Sequence, residues 1–329
     1  MKAIQFHEFG EADVLRLEDI PVPEPKSGEV LIRVQATGVN FADILQRKNQ
    51  YIYTPSLPFT PGTEVAGTIE RLGTDVQSFS LGQRVVSFAH HGGYAEYTVA
   101  PARLTAALPE EIDFELGAAI IIQGLTAFHM LKTVAQVKPG QTVLVNAAAG
   151  GVGTLAVQLA KIFGAAQVVA TAGSPEKLDF VQSLGADSSV NYREPDWQEQ
   201  VMDATNKKGV DVALESVGGE GFHKSLECLA SRGQLIVFGR SSGSTVFDPI
   251  VLLDKTRSVT GFSLYEFLEH PLYTESLNAL FEYIKQGQLK VQIGNVFPLD
   301  QAVKVHQLIE SRSTQGKLIL KPYEERVEA

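Results

Sequence analysis

The sequence predicts an α/β chain in two parts: a β-rich, barrel-like segment, and a doubly wound parallel sheet inserted near its C-terminal end. Three observations carry this. Short apolar or alternating runs punctuated by Gly and Pro fill residues 1–122. Strand and helix patterns alternate regularly from 123 to 264, the mark of a parallel sheet. From 265 to 329 the pattern turns mixed again. At 329 residues the chain is long for one core, so two domains are expected.

In the first part, "EVLIRVQATGVN", "EVAGTIERLG", "QRVVSFA" and "GGYAEYTVA" read as strands. "PVPEPKSG", "LPFTPG" and "SLGQ" break them, and "FADILQRK" reads as a short helix. Many short strands with turn signals favour a compact barrel. The inserted part opens with the helix "TAFHMLKTVAQ" and the buried strand "TVLVNA". "GVGTLAVQLAKIFG" is a helix with Leu155, Leu159 and Ile162 at helical spacing, stopped at Gly164. "QVVATA" is the next strand. "SPEKLDFVQSLG" follows as a helix with Ser174 as N-cap and Pro175 in its first position. Further βα units run through "SVNY", "DWQEQVMDATN", "VDVALESV", "FHKSLECLA" and "GQLIVFG". The last part holds an amphipathic helix with Leu277, Leu280, Phe281 and Ile284 on one face, a second helix "LDQAVKVHQLIES", and a closing strand "GKLILKP". Two domains joined in this way are expected to make a ligand-binding cleft.

The net charge is −10, which argues against a general nucleic-acid or anionic-membrane surface. The single cysteine, Cys228, rules out an intrachain disulfide framework and a Cys-rich zinc lobe. The N-terminus "MKAIQFHEFGEADVL" has no apolar leader pattern, and the longest apolar stretch, "LGAAIII", is short of a membrane span. A soluble protein of the reducing cytoplasm is the expectation.

"NAAAGGVG" places glycines at 150, 151 and 153, after a strand and at the start of a helix. That context suits a pyrophosphate, held by the first amides of the helix and its dipole. An NAD site then expects a carboxylate about 20 residues on, to hold the ribose 2′-hydroxyl. Here Ala172 stands 22 residues past Gly150, within Thr171, Ala172, Gly173 and Ser174. The acid is missing, and small residues leave room. Ser174, the amides of its helix and Lys177 suit a 2′-phosphate, so NADPH is expected over NADH. A plain helix cap and a solvated charge are the competing readings of Ser174 and Lys177. Glu176 is the one acid nearby.

The chain resembles the zinc-free medium-chain dehydrogenases/reductases of the quinone oxidoreductase (zeta-crystallin-like) type. The resemblance covers nearly its whole length. It rests on "GVNFAD", "PGTEVAG", "QGLTAFH", "AAAGGVG", "ATAGSPEK", "VNYRE", "SVGG", "VFGRSSG" and "ESRSTQGKLIL", in that order. It implies a GroES-like catalytic domain with a Rossmann cofactor domain inserted, NADPH as cofactor, quinones or α,β-unsaturated carbonyls as substrates, and a homodimer joined through the cofactor domains. It also implies roles for matching positions. Gly150, Gly151 and Val152 would lie at the pyrophosphate, and Gly173, Ser174, Lys177 and Tyr192 at the 2′-phosphate. Val217 would lie under the adenosine. Phe238, Gly239, Arg240 and Ser241 would line the nicotinamide side, followed by Phe262, Ser263 and Leu264. Thr126 and His129 would face the cofactor, and Lys317 would close the site. Asn40, Phe41 and Asp43 would border nicotinamide and substrate. Leu45 and Arg240 depart from the usual family residues, both on the expected substrate side.

Zinc-dependent relatives carry Cys where this chain has Asn40 and His where it has Thr63. Two of the three protein ligands a catalytic zinc needs are thus replaced, and no metal is expected. His90 and His91 are neighbours in an extended segment, so they diverge rather than chelate. Hydride transfer to a quinone mainly needs the acceptor positioned and water excluded, with a donor for the quinone oxygen. Asn40, Asp43, Tyr51, Tyr53 and Arg240 are the candidate catalytic residues, with loop packing the competing reading of the two tyrosines. Three readings stay open at this point: a quinone reductase, an enone or alkenal reductase, and a non-catalytic NADPH sensor.

Overall fold

The computed structural model describes residues 1–269 and 271–322. These form two compact units: Met1–Ile122 with Leu268–Lys285 and the chain from Val291 onward, and Gln123–Phe267 with Gln286–Lys290.

The first unit begins with an antiparallel ribbon of β1 (Lys2–Gln5) and β2 (Arg16–Asp19). Its main strands are β3 (Glu29–Gly38), β4 (Glu64–Leu72), β5 (Arg84–Phe88), β6 (Tyr97–Pro101) and β7 (Thr105–Ala107), with helix α1 (Phe41–Arg47) between β3 and β4. Helix α2 (Phe114–His129) then leads into the second unit. That unit alternates β8 (Thr142–Val145), α3 (Gly151–Ile162), β9 (Gln167–Ala172), α4 (Pro175–Ser183), β10 (Ser188–Asn191), α5 (Trp197–Ala204), β11 (Val210–Glu215), α6 (Gly219–Glu227), β12 (Leu229–Val237) and β13 (Ser258–Gly261). The chain returns to the first unit through α7 (Leu272–Lys285), β14 (Ile293–Pro298), α8 (Ala302–Glu310) and β15 (Lys317–Lys321).

In the first unit the sheet order is β14-β15-β3-β4-β5-β7, with β6 also paired to β3. β3 is the longest strand and is antiparallel to β4, β6 and β15. Val30, Ile32 and Val34 project from it at every second position onto Val65, Ile69 and Val85, the period-2 packing its sequence predicts. A second cluster joins Ile4, Phe6 and Phe59 to Val305, Leu318 and Leu320, which seats the C-terminal elements on the N-terminal ones. The β1–β2 ribbon and β14 do not stand out in the sequence. Arg16, Leu17 and Asp19 are exposed, as are Gly294 to Val296, so neither strand shows clean alternation.

The second unit is a six-stranded sheet of order β10-β9-β8-β11-β12-β13, parallel throughout. The connection reverses direction between β8 and β11. In such sheets ligands bind beyond the carboxyl ends of the strands at that switch point. Leu144, Val169, Ala213 and Leu235 from four adjacent strands are fully buried, which explains their near-continuous apolar runs. Residues 286–290 rejoin this unit because the Gln158 amide forms two bonds with the Lys290 backbone, at 2.9 and 2.8 Å.

The sequence divides the segment after residue 113 into a short apolar run and a separate helix. The structure makes it one helix, Phe114–Val134, ending in a π-helical turn over Met130–Val134. It is long and apolar enough to cross a membrane, but 67% of its most apolar window is buried against the protein itself. Ala118, Ile120, Ile121, Leu125 and Met130 are all inaccessible.

Candidate active site

The second unit builds a phosphate turn from β8 into α3. Ala147 takes a left-handed conformation (φ 49°), and Gly150 caps the helix without a side chain to offer it. The first amides of α3 have no intrahelical acceptors and so point at whatever anion docks there. A Cβ on Gly153 would come within 2.6 Å of the Ala147 carbonyl, so the helix can pack this close to the strand only with glycine. A Cβ on Gly151 would collide with the Gln123 side-chain amide, which lies directly on the turn. Gln123 is a site residue that sequence reasoning passes over.

The carboxyl ends of the strands are tied together by Glu215, whose side chain is fully buried at the end of β11. One carboxylate oxygen accepts from the Val217 and Gly218 amides at 2.5 and 2.8 Å. The other accepts from Asn146 Nδ2 and the Ser225 hydroxyl, both at 2.8 Å. Asn146 Oδ1 in turn accepts from the Thr171 hydroxyl at 3.0 Å, linking β8 to β9. The loop after β12 is fastened to the same rim. Phe238 N–H donates to the Glu215 carbonyl, Ser241 N–H to Ser216 O, and Ser242 N–H to Val217 O, at 2.9, 2.9 and 2.7 Å. Val217, Phe238, Gly239, Arg240 and Ser241 are thus brought together.

Phe262 joins this side through a bond from its N–H to Val237 O at 2.8 Å. Its ring stacks on Phe267, which stacks on His129 (4.7 Å, 19°). Ser263 and Leu264 follow it into the short helical turn Leu264–Phe267. Thr126 and His129 are both buried. His129 bonds Thr133 through Nδ1 at 3.0 Å, and burial pulls its pKa down to about 4, so its ring is a neutral part of the aromatic stack at pH 7.

At the end of β9 the helix cap expected from the sequence is present. Ser174 caps α4, its hydroxyl accepting from Lys177 N at 3.4 Å, with Pro175 in the first position. Asn191 pairs in register with Ala172, and Tyr192 N–H donates to the Ala172 carbonyl at 3.1 Å. The Tyr192 hydroxyl therefore lies 2.5 Å from where a Cβ on Gly173 would stand. The Glu176 carboxyl is held below the usual range by its own backbone N–H and the Ser174 hydroxyl, as an N-terminal helix anion should be.

In the first unit, Asn40 and Lys317 meet Glu64, which the sequence does not single out. The Lys317 ammonium donates to Asn40 Oδ1 at 2.7 Å and pairs with the Glu64 carboxylate. Asn40 Nδ2 donates to the other side of the pair, Glu64 Oε1, at 2.8 Å and to Gly38 O at 3.4 Å. The remaining Glu64 oxygen accepts from Ile122 N–H at 2.7 Å. Lys317, expected to close the cofactor site, is 1% exposed and engaged in this cluster. Phe41 is exposed at the start of α1. Tyr51 and Tyr53 form an edge-to-face pair at 4.9 Å, and Tyr53 Oη accepts from Gln46 Nε2 at 3.2 Å. His90 and His91 diverge onto different rings, Phe88 and Phe59. Among the described residues no group of three or more His, Cys, Asp or Glu is placed to hold a metal ion.

Asp43 is fully buried beside this cluster, accepting from Asn40 N–H at 2.8 Å and from the Tyr94 hydroxyl at 3.0 Å. The Tyr94 oxygen also contacts His306 Nε2 at 3.2 Å. Burial pushes the Asp43 carboxyl up to about 6, against the pull of Asn40 N–H, Lys317 and Tyr94. Burial likewise pulls His306 down to about 3, so it stays neutral.

Family-model comparison matches residues 26–110 to the alcohol dehydrogenase GroES-like domain and residues 151–283 to the zinc-binding dehydrogenase domain. The chain is 38% identical to human quinone oxidoreductase over 325 residues, covering 97% of both. It is 36% identical to quinone oxidoreductase 1 of Escherichia coli, covering 97% of this chain and 99% of that one. The chain belongs to the zinc-free quinone oxidoreductase family. Its fold superposes on the E. coli quinone oxidoreductase solved in complex with NADPH, with a TM-score of 0.94 at 36% identity, over 98% of this chain and all of that one. The GroES-like unit and the Rossmann-type parallel sheet are therefore those of this family.

Two predictions follow from these networks. Glu215→Ala should leave two backbone amides, Asn146 and Ser225 without their acceptor, destabilising the fold by about 3–5 kcal/mol. A shift of the urea midpoint against wild type measures it, and Glu215→Gln should lose less. For Asp43, the raised pKa means the folded state holds a proton that the unfolded state has released between about pH 4 and 6. Its contribution is thus greatest below its ordinary value of 3.8 and is lost as pH rises through about 6. Relative to Asp43→Asn, wild type should lose about 3 kcal/mol across that window and stay level above it. Denaturant titrations of both proteins from pH 4 to 8 check this.

Proposed function

We propose that this protein is an NADPH-dependent quinone oxidoreductase that works without a metal. The observation that carries the cofactor choice is the end of β9. Where an NAD site would hold an acid, the chain has Ala172 and Gly173, with Ser174 and Lys177 opening the next helix and the Tyr192 hydroxyl packed against Gly173. The turn fits a dinucleotide: Gly150 gives the helix no side-chain cap, and only glycine fits at 153, against the backbone of Ala147 and Ala148. The acceptor class is supported by the full-length likeness to quinone oxidoreductases.

NADPH, when bound, supplies the hydride. Gly151, Val152 and the first amides of α3 would hold its pyrophosphate, and Gly173, Ser174, Lys177 and Tyr192 its 2′-phosphate. Val217, Phe238, Gly239, Arg240, Ser241, Phe262, Ser263 and Leu264 would line the remainder. Both N–H bonds of the Asn40 amide are already given to Glu64 and Gly38. We therefore assign Asn40 to positioning, together with Asp43, which fixes the Asn40 backbone. The donor to a quinone oxygen is then Tyr51, Tyr53 or Arg240, with positioning and exclusion of water as the main catalytic contribution. Lys317 acts through Asn40 rather than on the cofactor.

Steady-state oxidation of NADPH and NADH, with a small quinone and an enone side by side, tests this reading. Rapid turnover with NADPH and quinone is expected. Oxidation with the enone alone, or with neither acceptor, would overturn it in favour of an enone reductase or a sensor. Lys177→Glu should raise KM for NADPH by roughly tenfold or more while changing KM for NADH far less.

We also propose a homodimer through the second unit, in the reducing cytoplasm that suits a lone buried thiol. Among the described residues β13 pairs only with β12, leaving an open edge. The segment before it exposes Val246 at 90%, Leu253 at 70% and Ile250 at 60%. Sedimentation should give twice the chain mass, and Ile250→Glu with Leu253→Glu should shift it toward the monomer.

A further inference from the structure

We propose that Asp43, Tyr94 and His306 form a proton relay that sets the charge of Asp43 during quinone reduction. The inference rests on the quinone reductase reading above and adds a working part to it. Asp43 and Arg47 stand one turn apart on α1, and His306 and Glu310 one turn apart on α8, so each pair shares a helix face. The two faces meet. Arg47 pairs with Glu310 at 2.8 Å, and the Tyr94 hydroxyl bridges Asp43 Oδ2 at 3.0 Å and His306 Nε2 at 3.2 Å. Tyr94 is fixed through its backbone, whose N–H donates to Pro61 O at 2.9 Å and whose carbonyl accepts from Ile4 N–H at 2.8 Å. Asp43, Arg47, Tyr94 and His306 are all fully buried.

The Tyr94 hydroxyl has one proton and two neighbours, so the chain has two settings. In the first, Tyr94 donates to the Asp43 carboxylate, and His306 Nε2–H donates to Tyr94. In the second, Asp43 is a carboxylic acid that donates to Tyr94, Tyr94 donates to His306 Nε2, and the histidine proton sits on Nδ1. Passing from the first to the second takes up one proton at Nδ1. The Nε2–H bond breaks as a new Tyr94 O–H bond forms, and the old Tyr94 O–H bond breaks as an Asp43 O–H bond forms. No heavy atom has to move, and Asn40 N–H keeps Oδ2 as its acceptor in both settings. The other two members do not hold the charge themselves. Burial, and then Arg47, keep His306 from becoming a cation. Burial, with Asp43 beside it, keeps Tyr94 from becoming an anion. Asp43 is the member that titrates, between the opposing fields of Lys317 and Glu64. The entry atom, His306 Nδ1, and Arg47 Nε and Nη1 are buried with no partner among the described residues. Polar atoms in that condition are met by internal water. Glu310, partly exposed and paired with Arg47 and Lys48, is the next group toward solvent. Reducing a quinone adds one hydride and one proton, and its oxygen carries negative charge in between. A carboxylate buried beside Asn40 opposes that charge, and a carboxylic acid does not.

Heteronuclear NMR of the histidine ring nitrogens, from pH 8 down to pH 5, reads the two settings directly. The His306 signal is assigned by its loss in His306→Gln. In wild type the ring should stay neutral while its proton moves from Nε2 to Nδ1, with a midpoint near pH 6. Asp43→Asn, whose amide can donate to Tyr94, should hold the Nδ1–H form at every pH. Tyr94→Phe should uncouple the ring from Asp43 and abolish the midpoint. A wild-type ring that keeps one tautomer across the range, or becomes an imidazolium, overturns the relay. For the role in reduction, kcat with NADPH and a small quinone should fall roughly fivefold as pH rises through the same midpoint in wild type, and Asp43→Asn should lack that limb. A wild-type profile that is flat there, beside a ring that switches, overturns the role while the quinone reductase reading stands. If no quinone is reduced at all, that reading falls, and the NMR midpoint still stands or fails by itself.

Discussion

The buried carboxylate of Glu215 is the constraint on which the cofactor unit depends. A charge at that depth is tolerated only when its lone pairs are filled, and here four donors fill them. Those donors come from the end of β8, the turn after β11 and the body of α6. Satisfying one side chain therefore sets the spacing of β8 and β11 at the switch point. It also sets the course of the turn through Val217 and Gly218. The loop after β12 is bonded to that same turn. Asn146 and Ser225, 79 positions apart in the chain, converge because one acid cannot be left unpaired.

The first unit solves a similar problem with an internal cation. Glu64 is fully buried, and the Lys317 ammonium neutralises it while Asn40 bridges the two. An ammonium on the closing strand supplies the positive charge next to Glu64. The cluster ties β15 to β4 and to the start of α1. It fixes Asn40 from its side chain while Asp43 fixes it from its backbone.

Much of the fold was legible. The alternation of strands and helices, the glycine turn and the Ser174–Pro175 cap are local signals, and each corresponds to an element of the predicted kind. The β1–β2 ribbon and β14 are not legible in the sequence, because buried and exposed residues do not alternate along them. Gly117 and Gly124 interrupt the apolar pattern of the helix Phe114–Val134 in the sequence, and its burial overrides them. Of the candidate site residues, those on the glycine turn and the stretch 172–177 at the end of β9 are read from spacing, while those after β12 come only from the family resemblance. Gln123, Glu64 and Glu215 come from neither. Each is a common polar residue whose importance comes from a partner tens of residues away.

By itself the sequence determined the order of elements, the family, and the character of the cofactor end. Those depend on residue type at short range: glycine where a helix must approach a strand, small residues where an acid would stand, a cap before a helix. Only the tertiary structure decided which polar side chains are spent on the fold and which remain for a ligand. It took Lys317 and the Asn40 amide into a buried pair with Glu64, and turned His129 into a neutral ring in a stack. The physical reason is that hydrogen-bond and charge satisfaction is settled between groups far apart in the chain, after the strands are in register.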